Sequence, residues 1–349
     1  MNERDMSGRE RLYRALAREP LERPPTDFWA EDATKERLYE YMGNRDINEI
    51  LEIFNVDIFG VNAAAPDEKC LGGGIYQNYW GERYIYRETG YGKMREDVHG
   101  ALSQAAGFDE LAGFPWPRND DYDYSSLRTE CGAIAAKGRA VRYGSADIWQ
   151  RPALVRGLEN ALTDMYVNPE WMHYLSGVFT EFYLEDYRRA WEISGGQIDL
   201  FLVISDLGTQ KGPMISLKMF REFVAPYLIR MTDEIHRFGS KVLFHSCGDV
   251  GLYIPDLIEI GVDALDPIQP VTGAMQPESL AKYKGALCFH GGVDVQTLLL
   301  RGAPEDVRDQ ARRYFYVLGP GYILGPAHYF QPDIPPENIA AVYNAFKGK

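Results

Sequence analysis

Residues 241–269, KVLFHSCGDVGLYIPDLIEIGVDALDPIQ, decide the fold. KVLFHSC (241–247) is a short apolar strand pattern, 253–260 is an amphipathic segment stopped by Gly261, and VDALDPIQ (262–269) is a second strand pattern. The stretch therefore reads strand, helix, strand, with strands apolar enough for burial on both faces, as in a parallel sheet. Working outward, the same kind of run recurs as PPTDFWA (24–30), VDIFGVNA (56–63), AVRYGSAD (140–147), IDLFLVISD (198–206), LCFHGGVD (287–294) and GYILGPAH (321–328), which makes eight. Between runs, 216–238 places Leu217, Phe220, Val224, Leu228, Met231, Ile235 and Phe238 at helical steps before Gly239, and 304–316 reads the same way. Eight alternations predict an α/β fold, a (β/α)8 TIM barrel, with a doubly wound sheet as the runner-up.

Nothing divides the 349 residues: there is no internal repeat and no linker-like tract, so 1–349 is expected to be one domain. A helix over 5–18 precedes the barrel. After the second strand, 66–100 carries aromatics in rough alternation between glycines (Tyr76, Tyr79, Trp80, Tyr84, Tyr86, Tyr91) and predicts an antiparallel hairpin insertion, which could wall a pocket for a flat or apolar ligand. A net charge of −14 without a Lys/Arg block argues against a nucleic-acid partner. The absence of a long apolar segment argues against a membrane one. The charged start MNERDMSGRERLYRALAREP and four scattered cysteines point to a cytoplasmic protein with reduced thiols.

Active sites of such barrels lie where the strands end at their C-terminal side. The polar residues closing the runs are Asn62, Asp147, Asp206, His245 with Cys247, Asp266 with Gln269, His290 with Asp294, and His328. His245 and Cys247 are two apart on one strand, so both face the barrel mouth, and an imidazole with a thiolate suits Zn²⁺. A third ligand is then needed, and His328, closing the last strand, is available. The alternative is that Cys247 packs as a small hydrophobe and His245 is a hydrogen-bonded core histidine; Cys288 and His290 repeat the spacing. Asp206, before the glycines 208 and 212 that allow close backbone approach to a ligand, is the candidate for orienting or protonating a substrate, with loop capping as its alternative. Asn62, Asp147, Gln269 and Asp294 are candidate substrate-binding residues.

FHSCGDVGLYIPDLIEIGVDALDPIQP (244–270), FHGGVDVQTLL (289–299), GAPEDVRDQARR (302–313) and ILGPAHYFQPDIPPENI (323–339) resemble the C-terminal half of the uroporphyrinogen decarboxylase superfamily, and SGRERLYRALAREPLERPPTDFW (7–29) is similar to its opening more loosely. The resemblance implies a (β/α)8 barrel. It also implies an enzyme, either a decarboxylase or, as in the zinc-dependent methylcobamide:coenzyme M methyltransferase branch, a methyltransferase. The decarboxylases' RQAGRY-type arginines and FSDIL-type aspartate are replaced here by DFWAEDATKERL (27–38) and FGVNAAAPD (59–67), so cationic partners for a four-carboxylate substrate are missing. The methyltransferases' HxCG motif is matched by His245, Cys247 and Gly248, while His328 stands where they carry a second zinc cysteine and where the decarboxylases' GHGI turn has histidine. What this resemblance implies is a zinc-dependent methyltransferase of corrinoid-linked one-carbon metabolism, with Zn²⁺ on His245, Cys247 and His328, a corrinoid co-substrate, a small-molecule substrate and a corrinoid protein as partner. The alternatives are a carboxy-lyase acting on another substrate and a non-catalytic corrinoid- or tetrapyrrole-binding protein.

Overall fold

A computed structural model describes residues 6–89 and 92–347. Seven parallel strands, Ile58–Val61, Ala140–Asp147, Leu200–Ile204, Lys241–His245, Ala264–Asp266, Cys288–His290 and Tyr322–Ile323, lie side by side in chain order. The two edges meet through residues 25–30. Thr26 bridges Leu324 and Asp27 bridges Ile58, both parallel, with the Asp27 N–H donating to the Leu324 carbonyl at 2.9 Å and the Ile58 N–H to that of Thr26 at 3.1 Å. The curled sheet is thereby TIM-barrel-like rather than doubly wound. The first run contributes bridges instead of a full strand, in keeping with Pro24 and Pro25, which have no N–H to give a ladder.

Strand period two divides the core. Leu200, Leu202, Leu243, Ala264, Cys288 and Ile323 point inward and form one cluster with Leu12, Leu16 and Trp29; Phe201, Val203, Val242, Phe244, Leu265 and Phe289 point outward into the larger cluster under the helices. Leu12 and Leu16 belong to the helix Gly8–Leu16, N-capped by the Ser7 hydroxyl, which covers the end of the ring opposite the strand C-termini. Residue 5 of the expected 5–18 helix and Tyr91 of the aromatic stretch lie outside the described residues.

Between the first two parallel strands, Lys69–Gly72, Ile75–Gln77, Arg83–Thr89 and Gly92–His99 form a four-stranded antiparallel sheet in chain order. The single helix expected over 216–238 is two, Leu217–Phe223 and Ala225–Arg237. The reason is Pro226, whose missing N–H and ring bar a continuous helix. Among the described residues no helix is long and apolar enough to cross a membrane.

Candidate functional site

The inward layer above Leu243, Ala264 and Cys288 is polar. His245 stands opposite Asp266 in the strand register, and His290 is two residues beyond Cys288 on the next strand. The Asp266 carboxylate bridges the two imidazoles, accepting from His245 Nδ1 through one oxygen and from His290 Nδ1 at 2.5 Å through the other. An ionised carboxylate only accepts, so both Nδ1 atoms carry protons. His290 Nε2 in turn faces Asp27 Oδ2 at 3.2 Å, and that oxygen also accepts from Trp29 Nε1 at 2.7 Å and Arg142 Nε at 3.1 Å. Gly60 makes this possible, since a Cβ there would stand 2.9 Å from Arg142 Nη2. The result is a buried row of alternating charge, Arg142, Asp27, His290, Asp266 and His245.

Each member sets its neighbour's ionisation. Burial alone would raise the Asp266 carboxyl, but the charges of His290 and His245 hold it well below the usual carboxylate range. Burial works against a cationic His290, yet Asp266 and Asp27 push it up to about 9; His245 is pushed well above the ordinary imidazole range, against burial, by Asp266. Asp27, despite burial, is lowered by Arg142 and His290.

With Nδ1 committed to Asp266, His245 presents Nε2 to the mouth. There Cys247 Sγ lies at 3.5 Å and Asp206 Oδ1 at 3.7 Å. One ligand atom from each of Asp206, His245 and Cys247 falls within 4.8 Å of the others. Two glycines bring Asp206 there: a Cβ on Gly208 would meet the Cys247 carbonyl oxygen at 2.5 Å, and one on Gly248 the Gly208 carbonyl carbon at 2.5 Å. The loops after two neighbouring strands thus touch backbone to backbone, and the Cys247 N–H donates to Asp206 Oδ1 at 2.9 Å while Gln150 Nε2 holds Oδ2 at 3.0 Å. Gly208 therefore serves loop-to-loop contact. Trp29 stacks on the His245 ring at 6.0 Å and 12°. Burial raises the Cys247 thiol, an effect the His245 charge partly offsets.

This donor set fits a zinc ion. Carboxylate, imidazole and thiolate are all zinc ligands, three protein ligands leave a fourth position open, and a carboxylate behind the histidine is the usual support for a metal-bound imidazole. Among the described residues the ligand atoms that converge are those of Asp206, His245 and Cys247; His328, which the sequence suggested as the third ligand, is not one of that group. The His328 ring lies near the group, 6.4 Å from the His245 ring and edge-on, and burial together with the His245 charge lowers its pKa, keeping it neutral.

The remaining expected residues are dispersed around the mouth. Gln269 links the loops: its Oε1 accepts from the Gly248 N–H at 2.7 Å, and its Nε2 approaches Cys247 Sγ at 3.4 Å and the Ala327 carbonyl at 3.1 Å. Asp294 caps its own turn through the N–H groups of Gln296, Thr297 and Leu298. Asn62 accepts from the Gly144 N–H at 3.0 Å. Asp147 is buried, and desolvation, against the pull of Arg151, raises its carboxyl to about 7. Cys288 faces the opposite end of the ring, its Sγ 3.4 Å from the Ala15 carbonyl. Sequence reasoning missed Asp27, Trp29, Arg142, Gln150 and Arg151; the available signal was the arginine in the interior of the strand run AVRYGSAD.

A family model described as uroporphyrinogen decarboxylase (URO-D) matches residues 152–348. A uroporphyrinogen decarboxylase of Xanthomonas euvesicatoria pv. vesicatoria is 28% identical over 189 residues, 51% of this chain and 49% of that protein, so the chain spans about half the length of this relative. One from Chromohalobacter salexigens is 24% identical over 375 residues and 96% of both chains. The solved structure of a methyltransferase from Methanosarcina mazei shares the fold, with a TM-score of 0.69 at 15% identity over 98% of both chains.

Proposed function

The chain belongs to the uroporphyrinogen decarboxylase family, and from that premise we propose that it is a zinc-dependent methyltransferase of corrinoid-linked one-carbon metabolism. It would move a methyl group between a methylated donor or methyl-corrinoid and a thiol or corrinoid acceptor, with a corrinoid protein as partner. The observation that carries this reading is the convergence of Asp206, His245 and Cys247 within 4.8 Å at the strand C-termini. When bound there, zinc supplies the Lewis acidity that keeps an acceptor thiol as thiolate at neutral pH. The chain's own residues do the positioning. Asp266 fixes the His245 ring with Nε2 outward, Gln150 and the Cys247 N–H fix the Asp206 carboxylate, and Trp29 stacks on the imidazole. In the transfer the thiolate lone pair forms the new S–C bond, and the pair of the broken bond stays with the donor.

The test is metal content with activity. Protein purified free of metal and reloaded should hold zinc, and Cys247→Ala should lose zinc and methyl transfer together while melting normally. Fewer than about 0.2 zinc per chain in the wild type would overturn the reading. A second reading, a carboxy-lyase on another substrate, is favoured by the buried Asp147 carboxyl near 7 close to Arg151, a proton store beside a cation; it is distinguished by carbon dioxide release that chelators leave untouched. Visible-spectrum titration with a corrinoid and a porphyrin separates both from a non-catalytic binder.

A further inference from the structure

Between the antiparallel sheet and the turn at 100–104 lies a cavity of about 550 Å³, lined in part by Arg83 and His99. These two residues stand directly opposite each other in the register of the strands Arg83–Thr89 and Gly92–His99, and both are exposed, so their donors are open to a ligand. Among the described residues neither side chain makes a hydrogen bond or an ion pair. The arginines further along the same two strands do, Arg87 with Glu96 and Arg95 with Asp97 at 2.7 Å. Two side chains able to carry positive charge, directly opposite on one sheet face, disfavour each other unless an anion lies between them. Gln104, also exposed, adds an amide without a partner among the described residues, and the N–H groups of Gly100 and Ala101 on the same wall donate to no described residue. No lining residue is acidic, in a chain of net charge −14.

We propose that this cavity binds a small phosphate monoester, with the phosphate between Arg83 and His99 and the organic part against Phe114 and Ala101. A guanidinium meets phosphate oxygens with two parallel N–H bonds. Donors arriving from two strands and a turn surround a tetrahedral oxyanion, whereas a planar carboxylate would use the guanidinium fork alone. The volume exceeds what bare phosphate fills and lies within the range of ordinary ligand pockets. The wall that carries the turn is fixed before any ligand arrives: the Leu102 N–H donates to the Val155 carbonyl at 2.8 Å, Arg156 Nη1 to the Leu102 carbonyl at 2.8 Å and Asn160 Nδ2 to the Ser103 carbonyl at 2.9 Å. Only glycine fits at 100, where a Cβ would stand 2.1 Å from the Leu154 carbonyl oxygen. None of the residues invoked belongs to the Asp206–His245–Cys247 group, so the site stands independently of the metal and of the proposed methyl transfer.

The probe is phenyl phosphate, titrated by calorimetry and by NMR amide-shift mapping into metal-free protein, because phosphate oxygens also ligate zinc. It should bind with shifts at Gly100 and Ala101, at least about tenfold more tightly than phenol, which lacks the anion, and several-fold more tightly than inorganic phosphate, which lacks the ring. Arg83→Gln should weaken phenyl phosphate about tenfold, the worth of a charge-assisted pair, and His99→Gln several-fold. Neither side chain has a partner to strip, so both variants should melt as the wild type does. Arg301→Gln removes the same charge from the helix Leu298–Arg301, between the last two barrel strands, and should leave the affinity unchanged. No saturable binding, wild-type affinity in Arg83→Gln, equal weakening by Arg301→Gln, or shifts confined to the barrel mouth would each overturn the proposal, and so would inorganic phosphate binding as tightly as phenyl phosphate.

Discussion

Raising the pH should unload the buried row of charge at His290 first, and the loss can be sized. An unfolded histidine titrates at about 6.5, whereas His290 in the folded chain is held up to about 9 by Asp266 and Asp27 against the opposing effect of burial. Because the folded pKa lies above the unfolded one, the stabilisation is fully present below about pH 6.5 and is lost as pH rises through about 9. A separation of 9 minus 6.5, at about 1.4 kcal/mol per unit, makes the full loss about 3–4 kcal/mol, of which about 3 kcal/mol falls between pH 6.5 and 9.5. Other groups titrate nearby. Asp147 and Asp186, raised by burial to about 7 and about 6, cost stability that develops as pH rises through those values and is complete only about one unit above the higher of them, and Cys131 and Cys288, raised by burial to about 11, act above pH 9. The assay is urea unfolding of chelator-treated wild type and His290→Gln at pH 6.5 and 9.5, with zinc excluded because it would bind only the folded state. Subtracting the variant cancels the shared groups, and the wild type should lose about 3 kcal/mol more than the variant. Equal losses in the two proteins would refute the alternating-charge account of the barrel interior.

Asp206→Ala should lose zinc as Cys247→Ala does, whereas His328→Ala should keep it; metal analysis giving the opposite pair of results would return the third position to His328. Gly208→Ala should cost about 1–3 kcal/mol and weaken zinc binding by separating Asp206 from Cys247, because its Cβ would meet the Cys247 carbonyl oxygen. Gly273→Ala, with nothing within 4 Å of the new Cβ, serves as the neutral control in the same unfolding and metal assays. Uroporphyrinogen should not be converted to coproporphyrinogen by the purified protein, since the arginine motif that would hold four acetate groups is replaced by DFWAEDATKERL; appearance of that product in a fluorescence assay would contradict this.

The strands were legible because each is buried on both faces and therefore apolar along its length, a pattern that survives without knowledge of any partner. Local breaks were less visible. Pro226 cuts the helix expected over 216–238, and Pro24 and Pro25 leave the first run bridging its neighbours without a full ladder; in both places the hydrophobic period continues through the proline and conceals the missing N–H.

The site divides along the same line. His245 closes its strand and Cys247 lies two residues further on, beyond the strand that the sequence pattern extends to 247, yet the two-residue step still brings both to the mouth. Whether Asp206 or His328 joins them depends on a contact between two loops, and its only trace in the sequence is a pair of glycines, 208 and 248, whose small size is equally what a ligand would demand. The pair Cys288 and His290 shows how far spacing alone can carry the reading. It has the same two-residue step as His245 and Cys247, but the order is reversed, so the histidines share a layer on either side of Asp266 while the cysteines diverge. Cys247 runs past the strand end into the mouth, and Cys288 drops into the apolar layer against the Ala15 carbonyl. Phase along the strand, and not the spacing, decides which thiol can meet a metal or a substrate.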